Sequence, residues 1–274
     1  MNLQEYNLDE IENLSQRGKT LSIVDLINAN TIDIDMSAHC LYAISNGASF
    51  LTAARPGNAG KTTLMSCLLT FLPFDVRILT IDRPSVIAEV HKIVKDDNKF
   101  CTLCHEIGAG RIYGYLWGIH VGQFFDLMNY GCQLASCIHA DTLPEMQSIL
   151  VTNELGLGVT KSDFARLDLI LFIKLMREGV GYKRRVSALY ERGIEKHNLL
   201  FTWDENTDSF IKHGESTLLK IIAKEHGKSI NQVADELQQC KSFIEDLVKS
   251  GVNDFRQVSK QVSKQVSKMV LRRS

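Results

Sequence analysis

The chemistry of this chain concentrates in one stretch, Ala54-Arg55-Pro56-Gly57-Asn58-Ala59-Gly60-Lys61-Thr62-Thr63. It lies between a short apolar run, residues 49–54 (SFLTAA), and a helically spaced segment, residues 61–72 (KTTLMSCLLTFL), that Pro73 stops. A glycine-rich turn opening a helix aims backbone N–H groups at a single anion. Gly57 and Gly60 let the backbone approach a phosphate, and Pro56, Asn58, Ala59 and Thr63 complete the expected binding loop. Lys61 would reach the outer phosphates of a nucleoside triphosphate, and the Thr62 hydroxyl would complete the shell of a Mg²⁺ ion. ATP is the expected ligand. GTP is disfavoured because no Asn-Lys-x-Asp segment is present to read guanine. The usual spacing, G-x-x-x-x-G-K-[ST], puts its first glycine on Arg55. The turn is therefore expected to be reshaped around Pro56-Gly57, and Arg55 is a candidate to fold over the phosphates.

Such a loop needs a strand before it and a sheet around it. Further apolar runs of buried-strand length fall at residues 76–81, 100–104 and 134–138, with longer strands at 167–175 and 185–190. Helical patterns fall at 36–45 and 85–94, and one enters near Pro144 and runs to Leu150. Residues 199–203 and 209–212, joined by ENTD, read as a hairpin. Strands alternating with helices predict an α/β fold with a mostly parallel sheet covered on both faces. The expected division is a short helical lead-in at 1–35, a nucleotide-binding domain at 36–214 and a helical C-terminal appendage at 215–274. In the appendage Ser229 and Gln232 can form a capping box. The motif QVSK follows three times in tandem, starting at Gln257, Gln261 and Gln265. A four-residue repeat is close to one helical turn, so Val258, Val262 and Val266 share a slowly drifting face. Lys260, Lys264 and Lys268 make a parallel basic line, extended by Arg272 and Arg273. It is either a solvated face or a contact for a membrane surface or an acidic partner.

Four later motifs join the loop in a resemblance. Ile78-Leu79-Thr80-Ile81-Asp82-Arg83-Pro84 is similar to the aspartate box of the type II/type IV secretion ATPases, the RecA-like motors of secretion systems, pili and archaeal flagella. Cys104-His105-Glu106-Ile107-Gly108 resembles that family's Gly-Glu-Ile-Arg-Asp at the Walker B strand, and GCQLASCIHAD, from Gly131 to Asp141, resembles its histidine box. Arg184-Arg185-Val186 resembles its closing Arg-Arg-Val strand. The resemblance spans roughly residues 36–212. It implies a P-loop ATPase using ATP and Mg²⁺, with Glu106 polarising the attacking water, Asp82 helping to hold Mg²⁺ or the water, and His139 sensing the γ-phosphate. It also implies a homo-oligomer, a hexamer in the family, working at a membrane-associated secretion or pilus platform. The sequence departs from the family at Arg55, at the first histidine-box position, after Glu106-Ile107, and in most of the family's N-terminal domain. Those departures keep a second reading open, a nucleotide-binding switch or assembly scaffold with weak or no hydrolysis. A nucleotide kinase would need an arginine-rich lid after the sheet, which is not evident.

The bulk numbers bound these readings. With 274 residues the chain can form one large domain with appendages, and 45% hydrophobic and 23% charged residues are ordinary globular usage. A net charge of −1 asks for no nucleic-acid partner. No apolar run reaches the roughly 20 residues of a membrane helix. The polar, acidic first residues suit neither a signal nor a transit peptide. Seven cysteines, an odd count, read as reduced thiols of a cytoplasmic protein, with a peripheral place at the inner face of the membrane added by the resemblance. Cys101-Thr102-Leu103-Cys104-His105 spells a haem-attachment pattern but sits in an apolar run. A zinc site drawn from Cys101, Cys104, Cys132, Cys137 and His139 is an alternative to plain buried thiols. Tyr113, Tyr115 and Trp117 form an aromatic cluster that would cover the nucleotide, meet a partner, or pack in the core.

Overall fold

The computed structural model describes residues 2–14, 20–94, 99–110 and 112–271. Arg272 and Arg273, expected to extend the basic line, lie outside the described residues. The chain opens with α1 (Leu3–Asn13), α2 (Ile23–Asn28) and α3 (Ile34–Ser45). Each is started by a polar side chain that takes a free backbone N–H: Asn2 from Glu5, Ser22 from Asp25 and Asp33 from Met36. β1 (Phe50–Ala53) then enters the middle of the sheet. Parallel strands flank it on both sides, so all four of its residues are buried and apolar character cannot alternate with polar.

After the glycine-rich loop come α4 (Lys61–Leu69), β2 (Val76–Thr80), α5 (Pro84–Ile93) and β3 (Lys99–Ile107). A two-residue strand β4 (Tyr115–Leu116) and helix α6 (Ile119–Asp126) precede β5 (Gln133–Ile138). Helices α7 (Leu143–Val151) and α8 (Lys161–Ala165) lead into β6 (Leu169–Glu178) and β7 (Gly181–Glu191), and the hairpin is β8 (Asn198–Asp204) with β9 (Ser209–Lys212). The chain closes with α9 (Thr217–Glu225), α10 (Ile230–Lys249) and α11 (Phe255–Leu271). The capping box expected at Ser229 and Gln232 is formed at the start of α10.

The sheet runs β2-β3-β5-β1-β6-β7-β8-β9, with β4 paired to β3. From β2 to β6 every neighbour is parallel, and from β6 to β9 every neighbour is antiparallel. The expected mostly parallel α/β sheet is thus present. In it β5 separates the loop strand β1 from β3, the order of a RecA-like domain. Two buried clusters cover the faces. One holds Phe50 and Ala135 with α1, α3, α4 and the last three helices; the other holds Leu51 and Leu134 with α5, α6, α7 and α8. Successive residues of β1 and β5 go to opposite clusters, as a pleated strand requires.

The lead-in, the central domain and the C-terminal helices share the first cluster: Ile11 of α1, Met65 of α4, Leu171 of β6, Ile244 of α10 and Val262 of α11 all belong to it. In α11 the buried stripe is Phe255, Val258, Val262, Val266 and Met269. The QVSK repeat supplies steps of four, and the flanking steps of three at Phe255 and Met269 cancel the drift. Lys260, Lys264 and Lys268 are exposed on the other side. The start of that basic face meets acids from within the chain. Arg256 donates to Glu5 at 3.0 Å, Glu12 at 2.6 and 3.0 Å and Asp9 at 2.6 Å, and Lys260 lies 3.6 Å from Glu5. Among the described residues no helix is long and apolar enough to cross a membrane.

Because Val262 is fully buried, Val262→Ala should lower unfolding free energy by about 2 kcal/mol, two buried methyl groups plus a small cavity. Lys264→Ala should stay within about 0.5 kcal/mol of the parent. Urea denaturation followed by circular dichroism checks both.

Candidate active site

The glycine-rich turn leaves β1 at Ala53 and becomes α4 at Lys61, so it stands at the C-terminal edge of the parallel sheet, where α/β ligand sites form. Asn58 and Gly60 both take left-handed backbone, with φ of 59° and 96°. Asn is one of the few residues besides glycine that accepts this conformation readily. Gly60 is the N-cap of α4, and no side chain caps that helix. The first N–H groups of Lys61, Thr62 and Thr63 therefore have no intrahelical acceptor and no capping side chain. That arrangement suits the phosphate groups of a nucleotide. A cavity of about 990 Å³ opens in front of it, lined by residues 57–63 of the loop together with His105, Glu106, Tyr115 and His139. Pro56 is outside the lining.

Lys61, Glu106 and His139 come from α4, β3 and the residue after β5, and they meet. The Lys61 ammonium lies 3.8 Å from Glu106 Oε2 and 3.3 Å from His139 Nε2. His139 Nε2 is 3.1 Å from Glu106 Oε1, and its Nδ1 donates to the Arg55 carbonyl at 2.6 Å. Strand β3 runs to Ile107, three residues past its expected end, because it bulges. Cys104 pairs with Ser136 and Ile107 with Ile138, so His105 and Glu106 together span one residue of β5. A bulge re-aims the side chains it carries. A strap formed by β4 holds it: the N–H of His105 donates to the Gly114 carbonyl at 2.8 Å, and Glu106 pairs with Tyr115. Gly114 has φ of 75°, and a Cβ there would stand 2.4 Å from the His105 ring, so only glycine fits.

Tyr115, read from the sequence only as part of an aromatic cluster, is a site residue. Its backbone pairs with that of Glu106, and its side chain lines the cavity. Burial, and after it the Glu106 charge, push the Tyr115 phenol up to about 12. Burial lowers His105 to about 4, so its ring is neutral near pH 7. Arg184, noted only as part of the Arg-Arg-Val run, also lines the cavity, and its Nη2 donates to the Asn58 carbonyl at 3.0 Å.

Two expected residues are elsewhere. Asp82 follows β2, three strand spacings from β1, roughly 14 Å across the sheet. It lies 3.2 Å from Arg83 and outside the cavity lining. Thr62 does line the cavity. A Mg²⁺ shell built from Thr62 and Asp82 together therefore does not fit this arrangement, whereas Thr62 alone faces the phosphate cradle. Arg55 is turned away from the loop: its guanidinium pairs with Glu145 and lies 3.6 Å from Asp141. The first turn of α7, with Glu145 beside its Thr142 cap, claims it. The zinc reading also fails to assemble. Cys101 and Cys137 belong to one buried cluster and Cys104 and Cys132 to the other, on opposite faces of the sheet. Among the described residues no group of three His, Cys, Asp or Glu is arranged to hold a metal ion.

No protein-family profile matches the chain. Uncharacterized protein MJ1287 of Methanocaldococcus jannaschii is 25% identical over 252 residues, covering 84% of this chain and 92% of that one. Uncharacterized protein MJ0781 of the same organism is 37% identical over 79 residues, 27% of this chain and 11% of that one. Solved structures similar to the chain include the VirB11 ATPase from the Brucella suis type IV secretion system, at 16% identity and a TM-score of 0.40, with 70% of this chain and 62% of that chain covered. They also include the ATPase DotB of Legionella pneumophila, at 12% identity and a TM-score of 0.42, with 93% and 67% covered. The chain thus spans less than two thirds of the VirB11 chain. The strand order carries the fold.

All seven cysteines are buried free thiols, and burial raises Cys104 and Cys137 to about 12. A thiol titration should therefore find almost none reactive in the native protein and seven after denaturation. Rapid native labelling of Cys101 or Cys104 would contradict this packing.

Proposed function

We propose that the chain binds ATP with Mg²⁺ and hydrolyses it, as a motor ATPase of the type II/type IV secretion kind working in a homo-oligomer. The observation that carries this reading is the meeting of Lys61, Glu106 and His139 at an uncapped helix N-terminus. Phosphoryl transfer asks for positioning, charge neutralisation and a carboxylate that orients the nucleophile, and these three side chains supply them. The loop N–H groups of residues 57–63 would hold the phosphates. The Lys61 ammonium, now on Glu106, would move to the β- and γ-phosphate oxygens and release the carboxylate. Glu106, kept in place by Tyr115, would accept a hydrogen bond from a water in line with the γ-phosphate. The water oxygen bonds to phosphorus as the bond to the β-phosphate oxygen breaks, giving ADP and phosphate. His139 lies between Glu106 and the Arg55 carbonyl, so a change at the γ-phosphate would pass to the loop and to α7. A bound Mg²⁺, held on the protein side by the Thr62 hydroxyl, would neutralise charge on the β- and γ-phosphates.

The second reading, a slow nucleotide switch, is favoured by one observation: Lys61 and Glu106 are closed on each other. Turnover separates the two. Glu106→Gln should lower kcat by about 10²-fold or more while ATP affinity changes little, and Lys61→Ala should abolish ATP binding. A Glu106→Gln rate equal to that of the parent would leave the switch reading.

A further inference from the structure

The β6–β7 hairpin reaches past the edge of the parallel sheet. Ala53, the last residue of β1, is level with Phe172 of β6, and β6 continues from Ile173 to Glu178 before the chain turns back. That extension is about 20 Å long at strand rise. It stands beside the phosphate loop, and the returning strand β7 places Tyr182 and Arg184 in the cavity lining. Residues two apart on a strand share a face.

Arg184 is the arginine that stands over the loop. Its Nη2 bonds the Asn58 carbonyl, and its Cδ lies 3.1 Å from where a Cβ on Gly60 would be. Its basic neighbours are occupied. Arg185 forks onto Asp208 at 2.7 and 2.8 Å, and Lys183 lies 3.6 Å from Glu178 and over the Trp203 ring. Among the described residues Arg184 has no carboxylate within ion-pair distance. A guanidinium has five N–H donors in a planar fork suited to phosphate oxygens. Bound to one carbonyl, Arg184 keeps most of them for a ligand. Arg55 cannot compete for that place, because Glu145 and Asp141 hold it.

Tyr182 lies on the same face, two residues nearer the hairpin tip. It is 64% exposed, and with Leu21 it is one of the two exposed large apolar side chains in the cavity lining. An open aromatic face on a cavity wall is a stacking surface for a planar ring. The spacing along β7, about 7 Å between the two residues, separates a phosphate contact from a base contact.

We propose that this face of β7 is a nucleotide clamp acting within one chain: Arg184 binds the γ-phosphate and Tyr182 stacks on the base. The proposal rests on the nucleotide site described above and adds the source of its arginine and of its base contact. It makes Arg184 a catalytic residue that touches substrate, with no arginine needed from a neighbouring subunit.

Equilibrium binding by the full-length chain tests it with three probes: ATP, ADP and inorganic tripolyphosphate. The parent should bind ATP more tightly than ADP. Arg184→Gln should weaken ATP about tenfold, leave ADP nearly unchanged, and so erase the preference, with Arg184→Lys keeping part of it. Tyr182→Ala should weaken ATP and ADP alike by about tenfold and leave tripolyphosphate untouched, with Tyr182→Phe restoring nucleotide binding. Melting curves matching the parent separate these effects from misfolding. If ADP and ATP bind the parent but neither variant changes any probe, the clamp is wrong and the nucleotide site stands. If the parent binds no probe, the site reading fails and the clamp with it. Mixing Lys61→Ala with Arg184→Gln chains should not restore the triphosphate preference; restoration would place Arg184 in a neighbour's site and overturn action within one chain.

Discussion

An ammonium group as buried as that of Lys61 needs a counter-charge close by, because desolvation of a lone charge costs more than the surrounding packing returns. Glu106 supplies it, and much of the molecule serves to bring Glu106 there. The bulge in β3 turns its side chain to the cavity, the β4 strap fixes the bulge, and Gly114 lets the strap come close enough. Placing β5 between β1 and β3 leaves room for His139 at the end of the intervening strand. The three groups therefore form one electrostatic unit, in which a ligand that takes Lys61 also changes what Glu106 and His139 face.

How much of this was legible in the sequence follows from the range of the interactions. The loop, the helix after it and the buried strands are local patterns of glycine, apolar period and punctuation, and they lie where the residues suggest. The meeting of Lys61, Glu106 and His139 was legible only through ordered motifs, since no spacing along the chain brings residues 61, 106 and 139 together. Asp82 shows the limit of that route. Its motif sits at the end of a strand as expected, but strand order sets β2 at the edge, and order is decided by packing over the whole sheet. Arg55 shows another limit: the residue at that loop position is captured by Glu145 of α7 and by Asp141 just before that helix, almost ninety residues on, a contact no local pattern announces. Tyr115 and Arg184 were visible as residue types but not as site residues, because their place depends on a bulge and on the reach of a hairpin. Helix α6 carries no local start signal, since Gly118 begins it without a capping side chain.

The C-terminal repeat was legible in period but not in destination. Its valines could line any apolar surface; the surface they meet is the one already made by the lead-in and the sheet. The basic edge of the same helix then finds acids on α1, so Arg256 joins Glu5, Asp9 and Glu12 across almost the full length of the chain.

That last contact has a consequence for how the protein is made. Synthesis proceeds from the N-terminus, and domains tend to fold as they emerge. Helix α1 leaves the ribosome before α11, and its acidic face does not meet Arg256 until α11 follows, more than two hundred residues later. Until then Glu5, Asp9 and Glu12 lack the guanidinium that joins them in the folded chain. The four-residue ion network between α1 and the start of α11 is thus among the last contacts that translation makes available.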